Sequence, residues 1–256
     1  MREKLIALSW LKKGNWKDMY EVLKSDSQLK CIDEAFAHRC ADRFGDGVLT
    51  WMDDAFPECW REMPKPPFVV FYQGDLKRLQ SFVVSIVGGK ELSPYTDDTL
   101  QKTIQALPPN VCLLSGFERG VEATGMAYGT SLMGILAAGL NSIAPYAKYA
   151  AFKRMDKSSL LLTELPPEVP LNQAAYNRSY HLMHELSQLI CVFDLPTFDT
   201  RKRYLSYLVE LGKEVVVAPN RPFLNTAGGL ELVNAGAHLL LNPKTLFQSS
   251  APTNRL

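Results

Sequence analysis

Apolar positions recur at helical spacing through residues 1 to about 62. Leu5, Ile6, Leu8, Trp10 and Leu11, then Met19, Tyr20, Val22 and Leu23, are separated by polar side chains. At 3.6 residues per turn such positions share one face, so the pattern predicts amphipathic helices that bury one side. Asp33 to Phe44 reads as a further helix, ended by the stop signal Gly45-Asp46-Gly47.

Met63-Pro64-Lys65-Pro66-Pro67 then interrupts the periodicity, which suits a connection rather than the interior of an element. A helical N-terminal module over residues 1–64 is therefore expected, with a main domain over 65–247 and a loose tail over 248–256. In the main domain, short aliphatic or β-branched runs alternate with helical stretches. The runs are Phe68–Tyr72, Val83–Val87, Val111–Leu114, Leu132–Ala137, Leu160–Thr163, Leu189–Phe193, Val215–Ala218 and His238–Leu241. Strands alternating with helices imply parallel pairing through crossover connections, so the expected class is α/β with a doubly wound, mostly parallel sheet.

Composition narrows the function only a little. With 28 Lys and Arg against 27 Asp and Glu the net charge is +1, so any polyanion site must be a local patch rather than a global field. The five cysteines, Cys31, Cys40, Cys59, Cys112 and Cys191, show no CxxC spacing, and two sit in apolar runs where a thiol packs as a small hydrophobe. Reduced cytoplasm is the expected compartment. No signal peptide is expected at the start, no run has the ~18 apolar residues of a membrane span, and no further module is expected after the last strand.

Two strand-end turns carry the candidate chemistry. The run Val83–Val87 leads into Gly88-Gly89-Lys90 and then Ser93, ahead of a helix. Glycines there let backbone N–H groups approach an anion, and the helix N-terminus adds positive potential. Two readings fit, a phosphate cradle or a tight turn between strand and helix, and the GxGxxG pattern of a dinucleotide site is absent. The second turn, Ser115-Gly116-Phe117-Glu118-Arg119-Gly120, follows Val111–Leu114. Parallel strands place their carboxyl ends on one edge of a sheet, so the two turns are expected to be neighbours, with Lys90 and Arg119 either paired on one phosphate-binding edge or simply solvated.

The order of segments over residues 54–247 resembles the DprA/Smf (DNA-processing protein A) family. Asp54–Trp60 followed by Pro67–Asp75 is similar to the family's lead-in. Ser85–Tyr95 resembles its glycine, serine and arginine loop, with lysine in place of arginine, and Leu114–Glu122 stands where the family has Ser-Gly-x-Ala-x-Gly-Ile-Asp. Leu162–Pro167, Gly212–Pro219 and Gly229–Leu240 match later landmarks. The resemblance implies a Rossmann-like domain that binds single-stranded DNA and delivers it to the RecA recombinase during DNA uptake and recombination, as a homodimer, with no enzymatic step and no cofactor. Carried over residue by residue, it makes Gly88, Gly89, Lys90, Ser93, Ser115, Gly116, Arg119 and Gly120 candidates for phosphate contact, with Arg178 as a further one.

Departures fall on the DNA-binding part of the pattern. The family's Arg-Asn-Arg aligns with Ser179-Tyr180-His181, or, shifted, with the pair Asn177-Arg178. Its Gly-Ser loop is replaced by Asp199-Thr200-Arg201-Lys202-Arg203, where the basic run either compensates electrostatically or begins a solvated helix, and a lysine becomes Ser131. Tyr95, Tyr176 and Tyr180 are candidate base platforms or ordinary packing, and Phe117 reads either way. His181 and His184, three apart, lack the further ligands of a zinc site, and Ser115 lacks a nucleophile elbow. Glu164, next to a strand end, reads either as a general base or as a cap on the turn at Leu165-Pro166-Pro167. The alternatives are a nucleotide-binding or nucleotide-cleaving protein of the wider superfamily and a partner protein that has lost DNA contact.

Overall fold

A computed structural model describes residues 1–25, 29–219 and 227–246, so the expected tail at 248–256 lies outside the described residues. The first elements are α1 (Arg2–Leu11), α2 (Trp16–Leu23), α3 (Glu34–Phe44), β1 (Val48–Thr50), α4 (Glu58–Arg61), β2 (Val69–Gly74) and β3 (Phe82–Gly88). Then come α5 (Pro94–Gln105), β4 (Val111–Ser115), α6 (Val121–Tyr128), β5 (Leu132–Ile135), α7 (Ala150–Lys153) and β6 (Leu160–Thr163). The last are α8 (Gln173–Leu186), β7 (Leu189–Phe193), α9 (Lys202–Glu210), β8 (Glu214–Val217), α10 (Gly228–Asn234) and β9 (His238–Leu239). Among the described residues the fold is α/β with a mostly parallel sheet of nine strands. Two compact units share the chain: Met1–Leu76, Gly134–Lys148 and Asp156–Leu186 form the first, and Lys77–Met133, Tyr149–Met155 and the described residues from Ser187 onward form the second.

In the first unit α2 and α3 start where the sequence offers caps. The Asn15 side chain accepts from the Asp18 N–H at 3.2 Å, and Asp33 accepts from the Phe36 N–H at 2.8 Å. The apolar face of α1 (Leu5, Ile6, Leu8) packs with Met19, Ala37, Cys40, Val48, Phe68, Val69 and Phe71 in one buried cluster. Burial of each large aliphatic side chain contributes ~1.5–3 kcal/mol. This core runs across the connection at residue 65, because β1 and β2 supply its floor. Strand β1 pairs antiparallel with β2 (Leu49 opposite Val70), and β2 pairs antiparallel with β6 (Tyr72 opposite Leu162). These antiparallel pairs sit at one side of the sheet, apart from the parallel β3, β4, β7, β8 and β9. Helix α4 is pinned by Trp60, wholly buried, whose indole N–H donates to the Leu182 carbonyl at 2.9 Å.

The second unit follows the expected alternation. Strand β3 pairs in parallel with β4 on one side and β7 on the other, and β7–β8 and β8–β9 are parallel as well. Val83, Val84, Ser85, Ile86 and Val87 are all buried, as expected for a strand covered on both faces. The chain leaves β3 toward β4 and returns later to β3's other side as β7. Strand order therefore switches at β3, and in open α/β sheets ligands bind outside the carboxyl ends of strands at such a point.

Candidate functional site

Three strand ends meet at this switch: Gly88 of β3, Ser115 of β4 and Phe193 of β7. The glycines let backbone segments touch. A side-chain carbon on Gly88 would sit 2.2 Å from the Phe193 carbonyl oxygen and 2.7 Å from the Val121 side chain. Gly120, at φ +89°, could not hold one either, since it would lie 2.4 Å from the Gly89 oxygen and 2.6 Å from the Lys90 carbonyl. Backbone bonds fasten the contact: Gly89 N–H donates to the Phe193 carbonyl at 3.2 Å and Val121 N–H to the Gly89 carbonyl at 3.1 Å. The two glycine turns are thus neighbours. The Gly89 N–H is spent on the fold, whereas those of Lys90, Arg119 and Gly120 have no backbone acceptor among the described residues.

Charge at these turns is paired across them. The Lys90 ammonium, on a largely exposed side chain, reaches the Glu118 carboxylate at 3.0 Å. Arg119 is exposed and forms no ion pair among the described residues. Deeper in, the Arg201 guanidinium is only 9% exposed and has a carboxylate or carbonyl for every N–H. It donates to Glu118 and Glu122 at 2.9 Å each, to both Asp199 oxygens at 2.9 and 2.7 Å, and to the Gly88 carbonyl at 2.7 Å. Burial pushes the Asp199 carboxyl up, but the Arg201 hydrogen bonds and charge, with a contribution from Lys90, outweigh it and hold the group below the ordinary carboxylate range. The strand-end turns are therefore cemented by a carboxylate–guanidinium cluster.

The two candidate serines are engaged within the protein. Ser93 caps α5, accepting from the Thr96 N–H at 3.1 Å. The Thr96 hydroxyl in turn donates to buried Asp194, a non-glycine residue at φ +44° whose Oδ1 has no hydrogen-bond partner among the described residues. Burial raises the Asp194 carboxyl and the Thr96 hydroxyl only partly offsets it. Ser115, fully buried, accepts from the Phe117 N–H at 2.8 Å and donates to Glu122 at 3.3 Å. That bond steadies Phe117, which adopts φ +58° and packs edge-on against Phe152 in the core. Gly116 is half-buried beside it.

A sequence description of the family named DNA recombination-mediator protein A matches residues 47–251, well over half of the chain. The chain belongs to this family. Among curated relatives it is 26% identical over 211 residues to Protein Smf of Synechocystis, covering 78% of this chain and 53% of that one. It is 24% identical over 212 residues to DNA processing protein DprA of Bacillus subtilis, covering 78% and 69%. It spans only about half the length of several such relatives, including 51% of Protein Smf of Escherichia coli. Its fold is similar to the X-ray structure of DprA from Streptococcus pneumoniae (TM-score 0.76, 18% identity, 97% of this chain and 93% of that one). A DprA structure from Helicobacter pylori, described for its single-stranded DNA binding mode, matches with TM-score 0.71 and 17% identity over 79% of this chain and 95% of that one.

Where this member departs from the DprA/Smf pattern, its own side chains fill in. The Ser131 hydroxyl accepts from Arg78 at 2.6 Å. Of the basic run, Arg201 is the buried centre of the cluster and Lys202 pairs with Glu231, while Arg203 is exposed. Arg178 lies in the first unit, whereas the other candidates lie in the second. It is clasped in two bonds by Glu164, at 2.7 and 3.0 Å. Glu164 is thus a partner of Arg178 and not the cap of its own turn, where the Leu165 N–H is accepted by the Thr163 hydroxyl at 3.1 Å. Tyr180 is buried with Tyr176 against it, so this pair is packing; Tyr95 is partly exposed. His184 is wholly buried beside Tyr180. No group of three or more His, Cys, Asp or Glu suited to a metal occurs among the described residues. No described helix is long and apolar enough to cross a membrane.

Sequence reasoning missed the part played by Glu118, Glu122 and Asp199. The available signal was Glu118-x-x-x-Glu122 across a strand-end turn, with an Asp-x-Arg at another strand end.

Proposed function

We propose that this protein is a single-stranded DNA-binding member of the DprA/Smf family, and that the turns after β3 and β4 form the binding rim. The observation that carries this is the contact between them, which brings exposed Lys90 and Arg119 to adjoining segments: Gly120 abuts Lys90, and Lys90 bridges to Glu118 beside Arg119. Two cations with unspent N–H groups of residues 90, 119 and 120 suit successive backbone phosphates. Gly88, Gly89, Ser93, Ser115 and Gly116 shape the turns, and the phosphate-facing groups are Lys90, Arg119 and Gly120. Arg178, clasped by Glu164 in the first unit, is not assigned to the rim. On this reading the protein acts in the cytoplasm as a homodimer, passing the strand to a RecA recombinase without making or breaking bonds. Glu122, in the first turn of α6, supports the non-enzymatic part, since it is buried and held by Arg201 and Ser115 rather than free as a base.

A second reading rests on the cluster itself. Carboxylates of Glu118, Glu122 and Asp199 stand where a phosphate would approach, which favours a family member that has given up DNA contact. A fluorescence-anisotropy titration of the wild-type chain with labelled oligothymidine and with its duplex form separates the two. Tighter binding of the single strand is the expected result, and no binding of either strand selects the second reading.

A further inference from the structure

The segment joining β7 to α9 presents Phe198 to solvent at 91% exposure, the highest of any large apolar side chain among the described residues. Isolated exposed hydrophobes are ordinary on flexible loops. This one stands on a segment fixed at many points. The Asp199 N–H donates to the Pro196 carbonyl at 3.1 Å, the Lys202 ammonium to the Thr197 carbonyl at 2.8 Å, and Asp199 itself is held by Arg201. Pro196 is wedged against Gly228 at the start of α10, where an added side-chain carbon would sit 2.4 Å from the Pro196 oxygen. The ring is therefore offered to solvent by a pinned backbone, with its ordering entropy already spent in the free protein.

Its setting mixes charges: Lys202 holds half-exposed Glu231 beside it, and the carboxylates under the turns are largely buried. Phe198 adjoins Asp199 and Arg119 adjoins Glu118, and those two carboxylates are bridged by one Arg201 guanidinium. Arg201 thus links the segment that carries Phe198 to the turn that carries exposed Arg119, and Lys90 joins the same turn through Glu118. A phosphate-bearing ligand with a flat apolar group fits that combination, and an unpaired nucleotide is one.

We propose that Phe198 is a base-stacking platform, receiving one unpaired base while neighbouring phosphates meet Arg119 and Lys90. This rests on the single-strand reading above and adds a residue that the family's glycine-serine pattern at this loop does not supply. Stacking on an aromatic face tolerates any base, so the contact strengthens binding without adding sequence preference.

The test compares wild type, Phe198→Ala and Phe198→Tyr for binding to oligothymidine and to an abasic deoxyribose-phosphate strand of equal length. Because the side chain is exposed, both variants are expected to keep the wild-type melting temperature. Phe198→Ala is expected to weaken oligothymidine binding about 5-fold or more, the lower end of the stacking scale. Phe198→Tyr should bind like wild type, and the abasic strand should not distinguish the three. Equal affinity of Phe198→Ala and wild type for oligothymidine, or equal weakening on both strands, overturns the stacking role while leaving the rim intact. Absence of wild-type binding to any strand overturns the rim and the platform together.

Discussion

Removing the Arg201 side chain leaves Glu118, Glu122 and Asp199 facing one another with little water, since their side chains are 10%, 1% and 12% exposed. Breaking a buried pair from one side costs more than the pair contributes, so Arg201→Ala is expected to lower stability by about 3 kcal/mol or more in urea unfolding. Adding Glu122→Gln should restore part of that loss. A single-residue pH effect is expected at Asp194. Its carboxyl is raised in the fold, so the native state holds a proton that the unfolded chain has released, and this stabilisation is lost as pH rises from about 4 toward the folded value. Asp194→Asn has nothing to titrate and asparagine tolerates positive φ, so its stability relative to wild type should improve between pH 4 and pH 8. An unchanged difference across that range would show that Asp194 ionises normally. At this scale the sequence disclosed residue types but not partners. The basic run at Arg201–Arg203 was readable as charge, yet whether each cation faces water or a carboxylate depends on contacts across some 80 positions, as in the Arg201–Glu122 bridge.

Among the elements, the turn into α6 is the most constrained. Gly120 combines φ +89° with backbone atoms of Gly89 and Lys90 in the space a side chain needs, whereas Gly212, at φ +81°, has nothing within 4 Å. Gly212→Ala is expected to cost only the strain of a left-handed residue, about 1–2 kcal/mol. Gly120→Ala should exceed that by at least about 2 kcal/mol, because β4's turn must part from β3's. Comparable melting temperatures for the two variants would mean that the turns do not press on each other. Strands buried on both faces were legible as unbroken apolar runs, and β3, β4, β6 and β7 lie where those runs predict. Strand β1 was missed because three residues after a glycine stop carry no periodicity of their own, and its signal is the partner β2. The antiparallel placing of β2 beside β6 was equally hidden, since pairing between strands far apart in sequence leaves no local mark. Residues 132–137 yield a shorter strand than their apolar run suggested, because burial continues through Leu136 and Ala137 past the last ladder residue, whereas 238–241 form a short strand whose Leu239 and Leu241 are exposed.

For the whole molecule, near-neutral charge means that the proposed DNA affinity must come from a few local contacts, and its salt dependence would count them. The family was legible because landmarks recur in order along the chain, which no single turn could establish. The candidate rim was legible as two glycine turns on one sheet edge, whereas Phe198 was not, an apolar residue between threonine and aspartate being indistinguishable in sequence from one that packs inward. The central claim is that Lys90 and Arg119 neutralise phosphates of an unpaired strand. Its most direct test is the slope of log affinity for oligothymidine against log salt in wild type and in the Lys90→Ala, Arg119→Ala double variant. Each lost phosphate contact should flatten the slope by about 0.7, so the double variant is expected to differ by about 1.4. An identical slope in both proteins would contradict the account.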